Sequence, residues 1–473
     1  MPLDHIIVLM MENNSFDRML GALLPERSGG GGIKGTAGNH FNIDPQTHNP
    51  IYLKPTTTRE VQLDPGHNLA NTLAQIKGPS KGFVEDFVKK YPNSRPQDRQ
   101  EIMGYYPDGE LPILHELAQA FTICDAWFSS LPGPTWPNRV FAHTGTSLGY
   151  TTNSIFNAWD QTTLYDLLDA RRISYKIYYG DKSQTYVLMH KPWVDAMQYF
   201  FRDVQGPEAK FPQYCFIEPH YGTFSPSGQN DQHPPSDVRR GEKLIGDVYN
   251  ALRANDALWQ RSLLVITYDE HGGFYDHVYP PATVAPDNRT DPHFDFKQLG
   301  VRVPTILVSP WLAQGVIKDI FDHTSLLKFL IDKWGLSDDL GKRAAALSPT
   351  NTFKKYLLGS PRRTSKSLQK LRIPSVLPPQ ESAELTDYQE TLMDLSRELA
   401  SQIGDPDVRL PLLREPVEGT PKARMQLAAE QFDAFLLDRA KASVGSAPAR
   451  GKVRPTRLAR PHKKRAPKRQ PRG

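Results

Sequence analysis

Two short polar segments contain the residue types that bind a hard or borderline metal cation. Glu12 and Asn13 stand side by side after one apolar segment, and Asp269 and Glu270 stand side by side after another. Carboxylate and amide oxygens are ligands that such cations accept. Adjacent carboxylates also repel each other unless a cation or a proton lies between them. These four residues are therefore candidate ligands of one metal ion.

The first of these segments also has a purely structural interpretation. Asn and Ser before a helical turn commonly serve as N-caps, because their side chains accept hydrogen bonds from amide groups of the first turn. We assign Glu12 and Asn13 to the metal and expect Ser15 or Asn14 to be the cap.

The second segment combines acidic residues, two histidines and two glycines within ten positions, 268–277. The glycines permit a sharp turn with a close approach of the backbone. Such a combination is hard to explain as solvated surface. We predict that Asp276 and His277 support the ligands by hydrogen bonding.

The sequence PGPTWPNR, residues 132–139, predicts a stiff loop with one hydroxyl held in place. Prolines restrict their own backbone and that of their neighbours. Thr135 is a candidate nucleophile, provided that a metal lowers the pKa of its hydroxyl. Asn138 and Arg139 would support it by hydrogen bonding. Taken alone, the segment could equally be an ordinary turn.

Three further histidines lie in polar loop sequences: His67 in LDPGHN, His233 in DQHPPSD and His220 in EPHYG. A single histidine is more often structural than catalytic. His67 and His233 are the better candidates, because their turn sequences are rich in Asp with Pro or Gly. They could bind phosphoryl oxygens or protonate a leaving group.

The elements that would position these residues alternate along the chain. Apolar runs predict strands at 5–11, 121–124, 175–179, 263–268 and 303–309, and helical patterns occur at 111–120, 164–171, 241–255 and 324–334. Strands that are apolar on both faces and alternate with helices predict a three-layer α/β/α sandwich with a mainly parallel central sheet. Ligands of such sheets bind beyond the carboxyl ends of the strands.

Composition divides the chain into three parts. We predict a catalytic domain at 1–360, a linker and helical appendage at 361–442 and a disordered basic tail at 443–473. From Lys441 to the end there are 12 Lys or Arg and no acidic residue, so the formal charge of +5 becomes −7 once they are set aside. The tail suits an anionic membrane surface, with nucleic acid as the less favoured partner.

The cysteines and the N-terminus bear on the compartment. Cys124 and Cys215 both lie among apolar residues, which predicts reduced, structural thiols, with a disulfide as the alternative. The first residues lack a basic segment and a small-residue cleavage site, so they do not resemble a secretion signal. The sequence therefore predicts either a cytoplasmic protein or an exported one whose leader is missing from this chain.

At these motifs the sequence resembles a known family. MENNSFDRMLG, PGPTWPNR, HPPSD and YDEHGGFYDHVYPP, in this order, are similar to the phosphoesterases that include bacterial and plant non-specific phospholipases C and a bacterial acid phosphatase. The resemblance implies an alkaline-phosphatase-like fold and one metal bound by Glu12, Asn13, Asp269, Glu270 and Thr135. It also implies that Thr135 is the nucleophile and that the phosphate pocket includes His67, His233 and His271. Bacterial relatives are often exported.

The resemblance implies a metal-dependent phosphoesterase, with phospholipase C as the favoured activity. Phospholipids would be cleaved to diacylglycerol and a phospho-alcohol through a phosphothreonine intermediate, with His233 protonating the leaving group. Oxygen ligands alone fit Ca²⁺, Mn²⁺, Mg²⁺ or iron. An acid phosphatase is one alternative. A non-catalytic binding protein that acts through its basic tail is another.

Overall fold

The computed structural model describes most of the chain up to residue 445. The described residues are 3–23, 39–153, 161–185, 194–222, 229–347, 352–362, 368, 370–373, 375–376, 387–414 and 420–445. The glycine run at 29–32 and the tail from residue 446 onward lie outside them.

Eight strands form one central sheet, and four short strands form two small pairs. In chain order the strands are β1 (His5–Met11), β2 (Phe41–Ile43), β3 (Pro50–Tyr52), β4 (Lys54–Pro55), β5 (Gly104–Tyr105), β6 (Thr122–Cys124), β7 (Tyr175–Tyr179), β8 (Val194–Ala196), β9 (Tyr214–Glu218), β10 (Ser262–Tyr268), β11 (Thr305–Val308) and β12 (Gly315–Ile317). The central sheet has the order β12-β6-β11-β10-β1-β9-β7-β8. Only β11 runs antiparallel to its neighbours in this sheet.

Helices surround the sheet and bury its strands. They are α1 (Phe16–Leu20), α2 (Leu69–Gln75), α3 (Lys77–Ser80), α4 (Phe83–Lys90), α5 (Pro96–Ile102), α6 (Pro112–Ala120), α7 (Thr135–Thr144), α8 (Leu164–Ala170), α9 (Met197–Val204), α10 (Val238–Ala254), α11 (Asp256–Trp259), α12 (His323–Trp334), α13 (Gly341–Ala346), α14 (Asp387–Ser401), α15 (Pro406–Leu412) and α16 (Pro421–Gly445). Every residue of β1 and β10 is buried, as expected for strands covered on both faces. The predicted α/β architecture with a mainly parallel sheet is confirmed.

The C-terminal helices pack on the body of the protein. Leu399 of α14 and Phe435 of α16 are fully buried in the same apolar core as the central strands. Lys182 forms an ion pair with Asp433 of α16. Helix α16 ends at Gly445, a little beyond the predicted start of the tail at residue 443.

Two further features concern the cysteines and the membrane. Cys124 in β6 and Cys215 in β9 are both buried and free, as expected for structural thiols. None of the described helices is long and apolar enough to cross a membrane.

Candidate metal and phosphate site

The two predicted ligand pairs lie at adjacent strand ends. Strands β1 and β10 are parallel neighbours, and Met11 is paired with Tyr268. The next residues, Glu12 and Asp269, therefore leave the sheet side by side. The amide of Asn13 donates a hydrogen bond to Asp269 Oδ1 (3.3 Å), and all three of these polar side chains are completely buried.

Glu270 follows directly and is held by a tight glycine turn. The amide of Gly272 donates to Glu270 Oε2 (2.7 Å). Gly272 has a φ of 64°, and a Cβ at this position would lie 2.2 Å from the carbonyl oxygen of Asn13. Only glycine allows this approach. The glycine pair that follows Glu270 therefore permits the two strand-end segments to pack against each other.

Thr135 is the first residue of helix α7, which begins inside the predicted loop. The side chain of Asn138 holds the turn before it: Oδ1 accepts from the amide of Leu131 (3.1 Å), and Nδ2 donates to the carbonyl of Gly133 (2.9 Å). Thr135 is completely buried, and its hydroxyl has no hydrogen-bond partner among the described residues. The motif is thus a stiff loop only up to Pro134 and a helix from there on.

Arg139, one helical turn after Thr135, joins the two strand ends. Its Nη2 lies 3.0 Å from Glu12 Oε1, and its Nε lies 3.1 Å from Asp269 Oδ2. The guanidinium is buried and lies over the ring of Tyr221, 5.1 Å from the ring centre. The predicted support by Arg139 is therefore a pair of buried ion pairs to two candidate ligands.

Two histidines and an aspartate form a buried group beside Glu270. His67 Nδ1 lies 2.8 Å from Glu270 Oε1, and the rings of His67 and His233 are 5.7 Å apart. Burial alone would lower the pKa of His67, but Glu270 and Asp64 raise it well above its ordinary value. Burial lowers the pKa of His233. The group therefore combines a charged and a neutral imidazole.

Asp64 was not predicted from the sequence as a site residue. Ligand atoms of Asp64, His67 and His233 lie within 4.8 Å of one another, so this trio could itself bind a cation. The signal for Asp64 was its place in the turn sequence LDPGHN, three residues before His67.

His271 and His220 lie outside the group formed by Asp64, His67 and His233. His271 Nε2 is 2.8 Å from Gln75 Oε1, and its other ring nitrogen is 3.3 Å from Glu270 Oε2. It therefore contacts the side of Glu270 that faces away from His67. His220 Nδ1 accepts a hydrogen bond from the amide of Gly222 (3.1 Å), which is a structural contact.

Asp276 and His277 belong to a second buried network, centred on Arg302. Arg302 donates to Asp276 Oδ1 (2.9 Å), Asp17 Oδ1 (2.9 Å) and Asp125 Oδ1 (3.1 Å). His277 Nδ1 lies 2.7 Å from Asp17 Oδ2. Sequence reasoning did not find Arg302, Asp17 or Asp125. The network connects α1 to the segment after β10, so these residues act on the site through the backbone.

The strand-end carboxyl groups are short of positive charge. Burial raises the pKa of Glu12 well above its ordinary value, and Arg139 offsets only part of this rise. Burial likewise raises the pKa of Asp269 to about 7. Burial also opposes ionisation of Glu270, but the neighbouring charge of His67 lowers its pKa to about 2. A cation at this place would favour the ionised form of all three carboxyl groups.

The orphaned polar atoms of the site fit a cation with oxygen ligands. Glu12, Asn13 and Thr135 each bury a side-chain oxygen that accepts no hydrogen bond from the described part of the chain. An unsatisfied buried polar group costs about 1–3 kcal/mol. Three of them among the five predicted ligands are difficult to explain without a cation that binds oxygen.

The mainly parallel α/β fold and the polar centre at the edge of its sheet suit an enzyme that acts on a phosphate ester. The model of the Phosphoesterase family matches residues 3–337, and the chain belongs to that family. The protein is therefore a hydrolase that acts on phosphoric ester bonds, not the non-catalytic binding protein considered as an alternative. The family resemblance predicted from the four motifs is confirmed.

The relatives share most of the chain. Non-specific phospholipase C6 of Arabidopsis thaliana is 33% identical over 435 residues, which cover 84% of this chain and 80% of that protein. Non-specific phospholipase C1 of the same plant is 32% identical, and the match covers 85% of this chain and 80% of that protein. The non-hemolytic phospholipase C of Pseudomonas aeruginosa is 27% identical, and the match covers 71% of this chain and 54% of that protein.

The solved structures that resemble this one are more distant. A protein in the alkaline phosphatase superfamily from Vibrio parahaemolyticus has a TM-score of 0.33 and 13% identity, covering 51% of this chain and 65% of that chain. The fold assignment follows from the sheet and helices described above and not from this similarity.

Proposed function

We propose that the protein is a metal-dependent phospholipase C that hydrolyses phospholipids to diacylglycerol and a phospho-alcohol. The observation that carries the proposal is the group of buried, unpartnered oxygens of Glu12, Asn13 and Thr135 beside the carboxyl groups of Asp269 and Glu270. The names of the relatives, plant and bacterial phospholipases C, support the choice of substrate.

One cation would be held by Glu12, Asn13, Asp269, Glu270 and the hydroxyl of Thr135. When bound, it would lower the pKa of that hydroxyl and offset negative charge on the phosphoryl oxygens. Oxygen ligands suit Ca²⁺, Mn²⁺, Mg²⁺ or iron.

The chain's own residues account for the covalent steps. The Thr135 oxygen attacks phosphorus, a bond from this oxygen to phosphorus forms, and the bond from phosphorus to the diacylglycerol oxygen breaks. The proton lost by Thr135 must reach the leaving oxygen. His233 is suited to deliver it through Nε2, because its Nδ1 lies 2.5 Å from the carbonyl of Pro234. Water then attacks phosphorus, and the bond from phosphorus to the Thr135 oxygen breaks. A proton of this water returns to the Thr135 oxygen through His233, and the phospho-alcohol is released.

His67 would stabilise charge during these steps, and Arg139 would hold the metal ligands. His67 lies between Glu270 and Asp64 and is the charged imidazole of the pair, so it can attract a phosphoryl oxygen. Arg139 is already paired with Glu12 and Asp269, and its role is to hold these ligands in place.

The proposal is tested with a diester and a monoester that release the same chromophore. Purified protein is stripped with a chelator and assayed on p-nitrophenyl phosphorylcholine and p-nitrophenyl phosphate, before and after Mn²⁺, Ca²⁺, Mg²⁺ or Fe²⁺ is added. We expect activity on the diester only after a metal is restored, and none with Glu12→Gln. Full activity of the stripped protein would overturn metal dependence. A strong preference for the monoester would identify the acid phosphatase alternative.

We further propose the division into a catalytic domain at 1–360, an appendage at 361–442 and a basic tail at 443–473. The basic residues of the tail would attract an anionic membrane surface, at about 1 kcal/mol for each residue near the surface. The charge of −7 on residues 1–440 leaves the C-terminal segment as the main cationic part of the chain. Nucleic acid is the less favoured partner.

A further inference from the structure

A third strand-end segment reaches the candidate metal site. Strands β10, β1, β9 and β7 are consecutive parallel neighbours, so their carboxyl ends lie along one edge of the sheet. Strand β7 is followed by the segment 181–185, which no motif had indicated. This segment lies beside the end of β9, since the amide of Gly180 donates to the carbonyl of Glu218 (3.0 Å).

The carboxylate of Glu218 fixes this segment on both sides of Gln184. The hydroxyl of Ser183 donates to Glu218 Oε2 (2.6 Å). The amide and the hydroxyl of Thr185 donate to Glu218 Oε1 (2.9 and 3.0 Å). Hydrogen bonds to a carboxylate are stronger than those between neutral groups, and Glu218 is buried. The backbone of Gln184 therefore has little freedom to move.

Held in this way, Gln184 points its amide at Glu12. Gln184 Nε2 donates to Glu12 Oε1 over 3.5 Å, the same oxygen that Arg139 contacts at 3.0 Å. The opposite amide orientation would place the carbonyl of Gln184 against a carboxylate, so the orientation is set by chemistry. Glu12 Oε1 thus has two donors, whereas Glu12 Oε2 has no hydrogen-bond partner among the described residues.

We propose that Gln184 is a positioning residue for the metal ligand Glu12, and that Glu218 acts through it. By holding Oε1, Gln184 and Arg139 direct Oε2 towards the cation. The inference rests on the proposed metal site, and it extends the site to a strand end that the sequence motifs do not include. Groups that orient a metal ligand from behind typically contribute about 10–100-fold to metal affinity.

The test is Mn²⁺ binding to chelator-stripped protein, measured by isothermal titration calorimetry. Gln184→Leu keeps the volume of the side chain and removes the donor, and we expect about tenfold weaker binding, at the low end of such effects because the contact is long. The double variant Ser183→Ala/Thr185→Val, which loosens the segment without touching Glu12, should weaken binding in the same direction. The matched control is Gln431→Leu, a buried glutamine of α16 that donates to a backbone carbonyl away from the site.

Stability and a reference variant separate the outcomes. The melting temperature of the metal-free protein should be similar for Gln184→Leu and Gln431→Leu, since each loses one hydrogen bond, while only the former loses metal affinity. If Glu12→Gln abolishes Mn²⁺ binding but Gln184→Leu binds as the wild type does, the inference is wrong and the metal site stands. If Glu12→Gln also binds normally, the metal site itself is wrong.

Discussion

Thr135 and Arg139 lie four positions apart on α7, so both side chains leave the helix on the same face. Arg139 is fixed by ion pairs to Glu12 and Asp269, which directly follow two different strands. Because the helix is rigid, these ion pairs also set the position of the Thr135 hydroxyl. The proposed nucleophile is thus placed relative to the ligands by one turn of helix.

Loss of Arg139 should destabilise the metal-free protein strongly. Arg139→Gln leaves buried carboxyl groups without their counter-charge, which typically costs about 3–5 kcal/mol. Saturating Mn²⁺ should restore part of this loss, because the cation supplies positive charge at the same place. Urea unfolding with and without Mn²⁺ measures both effects. Arg95→Gln is the control: Arg95 is 73% exposed and pairs with Asp98 on the surface, so little or no loss of stability is expected. Equal losses in the two variants would contradict the assigned role.

Removal of the Thr135 hydroxyl should abolish turnover and leave folding intact. We expect Thr135→Ala to lower kcat by about a thousandfold or more, as for other catalytic nucleophiles, and Thr135→Ser to retain partial activity. The control is Thr144→Val at the other end of α7, whose hydroxyl donates to the carbonyl of Val140 (3.0 Å). It should lose some stability and keep normal turnover. A near-normal kcat for Thr135→Ala would require another nucleophile or direct attack by water.

Glu242 should make stability depend on pH. It is buried on α10, and burial raises its pKa from 4.5 to about 8, although the amides of Ile113 and Leu114 donate to it. Between pH 4.5 and 8 the folded protein therefore keeps a proton that the unfolded chain releases. The free energy of unfolding should fall as pH rises through this window, by up to about 1.4 kcal/mol per pH unit.

Glu242→Gln isolates this contribution, because all other titrating groups are common to both proteins. Relative to the wild type, the variant should gain stability steadily as pH rises from 5 to 7.5. Urea unfolding at several pH values measures the difference. Parallel pH profiles for the two proteins would show that Glu242 ionises normally in the folded state.

The parts of the site that the sequence predicted are those determined by local pattern. Strand β1 is a continuous apolar run, and the run before Asp269 is another, so both strands were predicted to within one residue. Parallel strands end at one edge of a sheet, so Glu12 and Asp269 were expected to be close. The direction of β11 was not predicted, because an apolar run of four residues carries no information about direction.

The parts that the sequence did not predict depend on tertiary contacts. Arg302 is 285 positions from Asp17, and nothing in either local sequence indicates the other. Gln184 and Glu218 lie in segments with ordinary composition, and only the order of β7, β9 and β1 brings them to Glu12. The cap, in contrast, is determined locally. Ser15 was one of two predicted caps, and its hydroxyl accepts a hydrogen bond from the amide of Arg18 (3.3 Å). A motif thus identifies the proposed ligands and nucleophile better than the residues that hold them.

The basic tail should affect membrane activity without affecting chemistry. A chain truncated after Gly445 keeps the whole of α16 and every proposed site residue, so it should hydrolyse p-nitrophenyl phosphorylcholine as the full chain does. On vesicles that contain anionic lipid the truncated chain should be slower. This difference should shrink as salt rises, because exposed charges are screened beyond roughly 10 Å at 0.1 M salt. Vesicles of zwitterionic lipid alone are the control and should show little difference. If both chains act equally on anionic vesicles at low salt, the tail does not dock on membranes. Binding of nucleic acid by the tail is then the next hypothesis to test.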